Sequence, residues 1–343
     1  MIQAVMTKPG KIEFNDIPIP EIKESQVLVK IWSIGICGSD IHVNHGKHPY
    51  TSYPVVQGHE VSGEVAKVGS KVTEFKAGDK VTIQPQVVCG KCYPCVHGKY
   101  HICDELKVMG FQTTGVASDF FAVDAEKVLK LPDNINFDLG AMVEPLAVAV
   151  HAVERSGDSI YGKKVLVLGA GPIGNLVAQV AKAMGAAAVM ITDLSDYRLG
   201  VAKSCGIDFC NNTKDQDLGK VIINEFGPNK ADLILECVGV NSTMDQAISY
   251  ARKGTDIIVV GVFGDKIHID LGLVQDRELR LIGTLMYQEK DFVKAIELIK
   301  LKRVKLEPLI TDHFSFKDYI KAYEHIDLQK DQVMKVIISV HRN

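Results

Sequence analysis

The chain has 343 residues, of which 46% are hydrophobic and 24% charged, the balance of a folded protein long enough for about two domains rather than of a disordered chain. A formal net charge of −3 excludes an electrostatic case for nucleic acid or an anionic membrane surface, and leaves a small molecule as the expected partner. No apolar run approaches the roughly 18 residues of a spanning helix, and the opening MIQAVMTKPGKIEF lacks the pattern of a secretory leader, so a cytoplasmic location is expected.

Up to about residue 150 the text is strand-like and broken by turns. QVLVKIWSIGI at 26–36, EVSGEVAKVGSKV at 60–72 and DKVTIQ at 79–84 set β-branched residues between Gly, Pro and Asp, which predicts an antiparallel, partly barrel-like domain. Around these strands stand GICGSDIH at 35–42, GHEVSGEV at 58–65 and MVEPLAVAVH at 142–151. Together they offer Cys37, His59, Glu60 and Glu144, a thiolate, an imidazole and two carboxylates that suit zinc with an exchangeable position for water or substrate. An open position is what a catalytic metal needs. Asp40, beside this set, can accept the remaining N–H of His59 and fix its tautomer.

VVCGKCYPCVHGKYHICDE, 87–105, holds Cys89, Cys92, Cys95 and Cys103. In a reducing compartment thiols bind metal more often than they form lasting disulfides. C-x2-C-x2-C with a fourth cysteine eight positions on can close four sulfurs around a structural zinc, while Gly90, Pro94 and Gly98 break regular structure so that a lobe can wrap the ion. Cys205, Cys210 and Cys237 have no ligand partner at a useful spacing and read as small core residues.

KKVLVLGAGPIGNLVAQVAKAMGAAAVMITDLS, 163–195, passes from a β-branched run through Gly169, Gly171 and Gly174 into helical apolar spacing at Ile173, Val177, Val180, Ala181 and Met184, then into a second strand ending at Asp193. Strand, glycine turn, helix, strand and terminal acid make a whole dinucleotide-binding βαβ unit. Gly171 lets the backbone approach a pyrophosphate at the helix N-terminus, and Asp193 accepts from the ribose hydroxyls and repels a 2′-phosphate, which favours NAD over NADP. Arg198 then flanks the adenine. Later units, VIINEFG, ADLILECVGV, TMDQAISYARKG and TDIIVVGVFG, are consistent with a doubly wound parallel sheet. Beyond them come the helices KDFVKAIELIKLK and KDYIKAYEHI and the strand MKVIISV, which most simply returns to the first domain.

The order of GICGSDIH, GHE, the four-cysteine lobe, EPLAVAVHAV and GAGPIG resembles the zinc-dependent medium-chain dehydrogenases over essentially the whole chain, and GHE with EPLAVAVHA and AKAMGAAAVMITDLS is similar to their sorbitol (polyol) dehydrogenase-like branch. The resemblance implies an α/β protein. A GroES-like β-rich catalytic domain, 1–146 and 284–343 with its lobe at about 86–105, would bracket a doubly wound Rossmann domain at 147–283, with the active site in the cleft. It implies a catalytic zinc on Cys37, His59 and Glu60, with Glu144 an alternating ligand or the acceptor for zinc-bound water. It also implies that Ile173, Asp193, Arg198, Val260, Gly261, Val262 and the stretch Leu285 to Tyr287 face NAD, and that the chain forms a homo-oligomer, the tetramer favoured over the dimer.

The expected chemistry is oxidation of an alcohol, with zinc as Lewis acid on the substrate hydroxyl and NAD as hydride acceptor. Ser39 and His42, three positions apart, would relay the proton through the nicotinamide ribose to solvent. In one respect the text departs from the polyol branch: an arginine expected just before the tyrosine of GTLMYQ is Met286. A donor fork has become a flexible apolar side chain, which opens vicinal diols of the 2,3-butanediol type and sugar acids (aldonates) as alternative substrates. The rivals from other classes are a non-catalytic binding protein on the same fold and a zinc-free quinone reductase.

Overall fold

Gln26–Gly35 folds as a strand because its β-branched residues find cover on both faces: Val27, Val29, Ile31 and Ile34 are fully buried. In the computed structural model, which describes residues 1–341, this strand is the spine of a seven-stranded sheet. Its neighbours are Lys335–Ser339 and Phe120–Asp124 on one side and Glu60–Val68 on the other; Ile310–Ser315 lies beyond the first, and Lys80–Ile83 and Val128–Lys130 beyond the last. The pairings are antiparallel except for Ile310–Ser315 with Lys335–Ser339. Register builds a rim from them. Gly35 faces Glu60 on one side and Ile337 on the other, so the end of one strand and the beginnings of two others meet at one place.

The chain divides into two compact units, one of Met1–Glu144, Gln288–Lys300 and Ile310–Asn343, the other of Pro145–Tyr287 and Leu301–Leu309. In the second, six parallel strands run in the order Phe209–Asn212, Ala188–Asp193, Lys164–Leu168, Leu233–Glu236, Asp256–Val259 and Arg280–Gly283. The order reverses between Lys164–Leu168 and Leu233–Glu236, which is where such sheets open a crevice for a ligand. Helix Pro172–Ala183 starts where Gly171 is extended and Pro172 pre-sets the first turn, and Gly174 to Ala181 are buried. Residues 301–309 join this unit because Lys305 N donates to Gln179 Oε1 at 2.6 Å and Gln179 Nε2 donates to the Lys305 carbonyl at 3.1 Å. Among the described residues no helix is long and apolar enough to cross a membrane.

Candidate active site

The sheet register brings Cys37, His59 and Glu60 together. Cys37 lies just past the spine strand and caps helix Gly38–Asn44, His59 precedes Glu60, and Glu60 opens the neighbouring strand across from Gly35. Their sulfur, imidazole nitrogen and carboxylate oxygen lie within 4.8 Å of one another, a mixed donor set that fits a tetrahedral zinc and leaves a position open. Gly35 is required there: a Cβ on it would sit 2.1 Å from Glu60 Oε2. The His59 ring packs at 4.9 Å between centroids on Phe111, which stacks on His48, so one wall of the site is aromatic.

Charge explains the appetite for a cation. Burial weakens the His59 imidazole as a base, but Asp40, then Cys37 and Glu144, outweigh it and hold its proton affinity well above the ordinary histidine value. Groups that draw a proton onto a buried imidazole draw a divalent ion more strongly. Asp40, fully buried, accepts from the Cys37 backbone N–H at 2.9 Å through Oδ2 and holds Oδ1 3.6 Å from His59 Nδ1, an ionic approach just outside hydrogen-bond length. Its own carboxyl is raised by burial, against the pull of His59.

Glu144, on helix Val143–Glu154, is buried and adds to the field at His59, yet it stands outside the compact three-donor set. Ser39 is half-buried and His42 exposed on the helix that Cys37 caps. His48 takes part in the same field: burial, then His42 and His59, lower its proton affinity.

Lys335 carries no motif that marks it in the sequence. It opens the last strand, is 3% exposed, and donates to Glu60 Oε1 and Oε2 at 2.6 and 2.7 Å and to the Ile36 carbonyl at 3.1 Å. Burial opposes its charge, but Glu60 first and Cys37 next hold its proton affinity above the usual lysine value. The one signal in the text is a lysine at the head of a wholly buried strand, where a charge must have a partner.

In the lobe, Cys103 Sγ lies 3.5 Å from Cys89 Sγ and 3.7 Å from Cys92 Sγ, and Cys95 completes the group. Four sulfurs about 2.3 Å from a zinc ion form a tetrahedron with edges of about 3.8 Å, so the spacing fits zinc. Gly90 and Gly98 turn the lobe through left-handed conformations, φ 71° and 70°. Backbone N–H groups of Lys91 and then Cys92 bring the Cys89 thiol down to about 7, whereas desolvation and then the bonds with Cys92 and Cys103 push Cys95 up to about 12. A cation among the sulfurs would offset the resistance of Cys95 to ionisation. Cys92→Ser is therefore expected to remove about one zinc per chain and to expose 87–105 to proteolysis before activity falls. Unchanged zinc content and cleavage pattern would refute the site.

The cofactor turn gives each glycine a different task. Gly169 has φ 99°, a Cβ on Gly174 would meet the Gly169 carbonyl oxygen at 1.9 Å, and a Cβ on Gly171 would meet nothing nearer than Arg198 Nη1 at 4.0 Å. Turn, close packing and open approach are what a pyrophosphate site requires. Arg198 lies just past the Ser195 cap in helix Asp196–Ser204, and its buried Nε has no protein partner. Asp193 does more than expected: Oδ2 accepts from Ala170 N at 2.7 Å and Oδ1 from Leu194 and Ser195 N at 2.8 and 2.9 Å, so the acid anchors the glycine turn and keeps a lone pair of Oδ2 unused. Ile173, Val260 and Gly261 are half-buried, Val262 and Leu285 are exposed, and Tyr287 is fully buried. Met286 sits between them at φ 53°, a left-handed conformation rare for a residue with a side chain.

Residues 23–133 match the family model of the alcohol dehydrogenase GroES-like domain, and residues 172–300 that of the zinc-binding dehydrogenases. Sorbitol dehydrogenase of Bos taurus is 35% identical over 349 residues, covering 100% of this chain and 97% of that protein. An alcohol dehydrogenase of Escherichia coli CFT073 complexed with the cofactor NADH is similar with a TM-score of 0.91 and 30% identity over 99% of each chain. The 2R,3R-butanediol dehydrogenase of Bacillus subtilis is similar with a TM-score of 0.91 and 27% identity over 99% of each chain. A GroES-like domain and a Rossmann-type α/β domain thus account for the fold, and the chain belongs to the zinc-dependent medium-chain dehydrogenases of the sorbitol dehydrogenase type.

Proposed function

We propose that the protein is an NAD-dependent zinc dehydrogenase oxidising a polyol or related secondary alcohol, with one catalytic and one structural zinc per chain. The observation that carries this reading is the convergence of Cys37, His59 and Glu60 within 4.8 Å. Bound there, zinc would supply a Lewis acid for the substrate hydroxyl, and NAD held by the glycine turn would supply the hydride acceptor. Cys37, His59 and Glu60 hold the ion, and Asp40 orients the imidazole. Glu144 accepts from groups at the open position, and Ser39 and His42 pass the released proton to solvent, which the exposure of His42 supports. The unit carrying these residues is the catalytic domain, and that carrying Gly169, Gly171 and Gly174 is the NAD-binding domain. Ile173, Arg198, Val260, Gly261, Val262, Leu285 and the stretch to Tyr287 line the cofactor, Tyr287 by supporting it from the core.

A vicinal diol is the second reading, favoured by Met286, which offers no donor fork to a chain of hydroxyls; an aldonate is the third. A homo-oligomer, with the tetramer preferred, is supported by the edge position of Arg280–Gly283 in its sheet and by exposed Leu271. Cysteines grouped as metal ligands accord with a reducing, cytoplasmic location.

Reduction of NAD by a panel of polyols, short vicinal diols and aldonates tests the activity; no turnover with any of them by protein holding about two zinc ions would sink it. In the same assay Asp193→Ala is expected to shift the NAD/NADP ratio of kcat/KM by about tenfold or more toward NADP, since hydrogen bonds to a charged group are worth about 1.5–3 kcal/mol. An unchanged ratio means that the acid serves only the turn.

A further inference from the structure

A buried polar chain leads from the ligand set to the C-terminal helix, and nothing in the motifs announces it. Tyr323, 1% exposed on helix Tyr319–Gln329, donates its hydroxyl to Gln57 Oε1 at 3.0 Å. Its ring is held by a parallel stack on buried Tyr319, 5.8 Å between centroids. Gln57, two positions before His59 and 3% exposed, donates Nε2 to the Asp40 carbonyl at 3.2 Å and to Asp40 Oδ1 at 3.4 Å. That same Oδ1 is the atom 3.6 Å from His59 Nδ1, while Oδ2 holds the Cys37 N–H. Two of the three ligands therefore lean on one carboxylate, and that carboxylate leans on Gln57.

The tyrosine matters because the amide is buried. Without the hydroxyl, Gln57 Oε1 loses the donor that it has inside the protein, and an unsatisfied buried acceptor presses the side chain to seek another rotamer. Any such rotamer withdraws Nε2 from Asp40 and frees the carboxylate to swing away from His59. We propose that Tyr323 is a positioning residue for the His59 ligand, acting through Gln57 and Asp40, so that the returning C-terminal helix sets how tightly the catalytic ion is held. The inference rests on the reading of Cys37, His59 and Glu60 as the catalytic zinc site.

Zinc release to a chelator from the loaded protein tests it, with the four-cysteine site as internal standard. Tyr323→Phe is expected to speed release from the catalytic site about tenfold, at the low end of the effect of outer-shell partners, and to leave the cysteine site unchanged. Gln57→Met, which cuts both links, is expected to speed it at least as much, and adding Tyr323→Phe to it to change the rate by less than about twofold because the two act in series. Equal release from wild type and Tyr323→Phe, equal acceleration at both metal sites, or an undiminished tyrosine effect in the Gln57→Met background overturns the inference. Wild type that holds only the cysteine-bound ion overturns the underlying reading as well, and zinc content before chelation separates the two failures.

Discussion

Cys37→Ser is expected to lower dehydrogenase activity by about a thousandfold or more, because a metal Lewis acid supplies several kcal/mol of stabilisation and about 4 kcal/mol is worth that factor. The fold should survive. Cys37 is a helix cap at the rim of the sheet, half-buried, and the core strand beside it is held by Val27, Val29, Ile31 and Ile34 rather than by the thiol. A serine hydroxyl keeps the cap, but it is a poor ligand beside His59 and Glu60, so zinc content should fall from about two to about one per chain. Far-UV circular dichroism and metal analysis of the variant check both halves of the expectation. Full activity in Cys37→Ser would end the assignment of the site, whatever its zinc content.

Lys335→Met is expected to have the largest effect on stability. It removes a buried ammonium whose three hydrogen bonds go to both oxygens of Glu60 and to the Ile36 carbonyl, and it leaves that carboxylate 1% exposed without a counterion. Breaking a buried pair from one side costs about 3–5 kcal/mol. The size should depend on the metal. After mild chelation that spares the four-cysteine site, the whole cost should appear as a lowered urea midpoint; with the catalytic site loaded, the ion neutralises Glu60 and most of the cost should vanish. The same loss in both states would mean that Glu60 is a structural partner of Lys335 and not a ligand.

The pair also shows how the candidate site is divided between text and fold. Glu60 stands out beside His59, but Lys335 is 275 positions away and looks like any lysine before an apolar strand. Antiparallel register puts Gly35 opposite both Glu60 and Ile337, and the absence of a side chain at Gly35 opens the space that Glu60 occupies. Gln57, in the loop before His59, and Tyr323, on helix Tyr319–Gln329, are 266 positions apart and meet because the C-terminal segment packs within the same compact unit as the first 144 residues. Along the Leu285 to Tyr287 stretch, expected at the cofactor, Leu285 is exposed and Tyr287 wholly buried, an alternation that depends on what packs beneath the loop.

The sequence by itself determined the four-cysteine lobe and the dinucleotide turn, since each is a local object whose ligands or glycines lie within a few dozen residues and whose spacing is set by backbone geometry alone. It also determined the alternation of strands and helices in the second unit, which hydrophobic period encodes directly. Only the tertiary structure decided that Lys335 claims Glu60, that Asp193 ties down Ala170 as well as ending its strand, and that Tyr323 reaches Asp40 through Gln57. Partners of this kind are chosen by strand register and by the need of buried polar atoms for one another, and neither leaves a period or a motif along the chain.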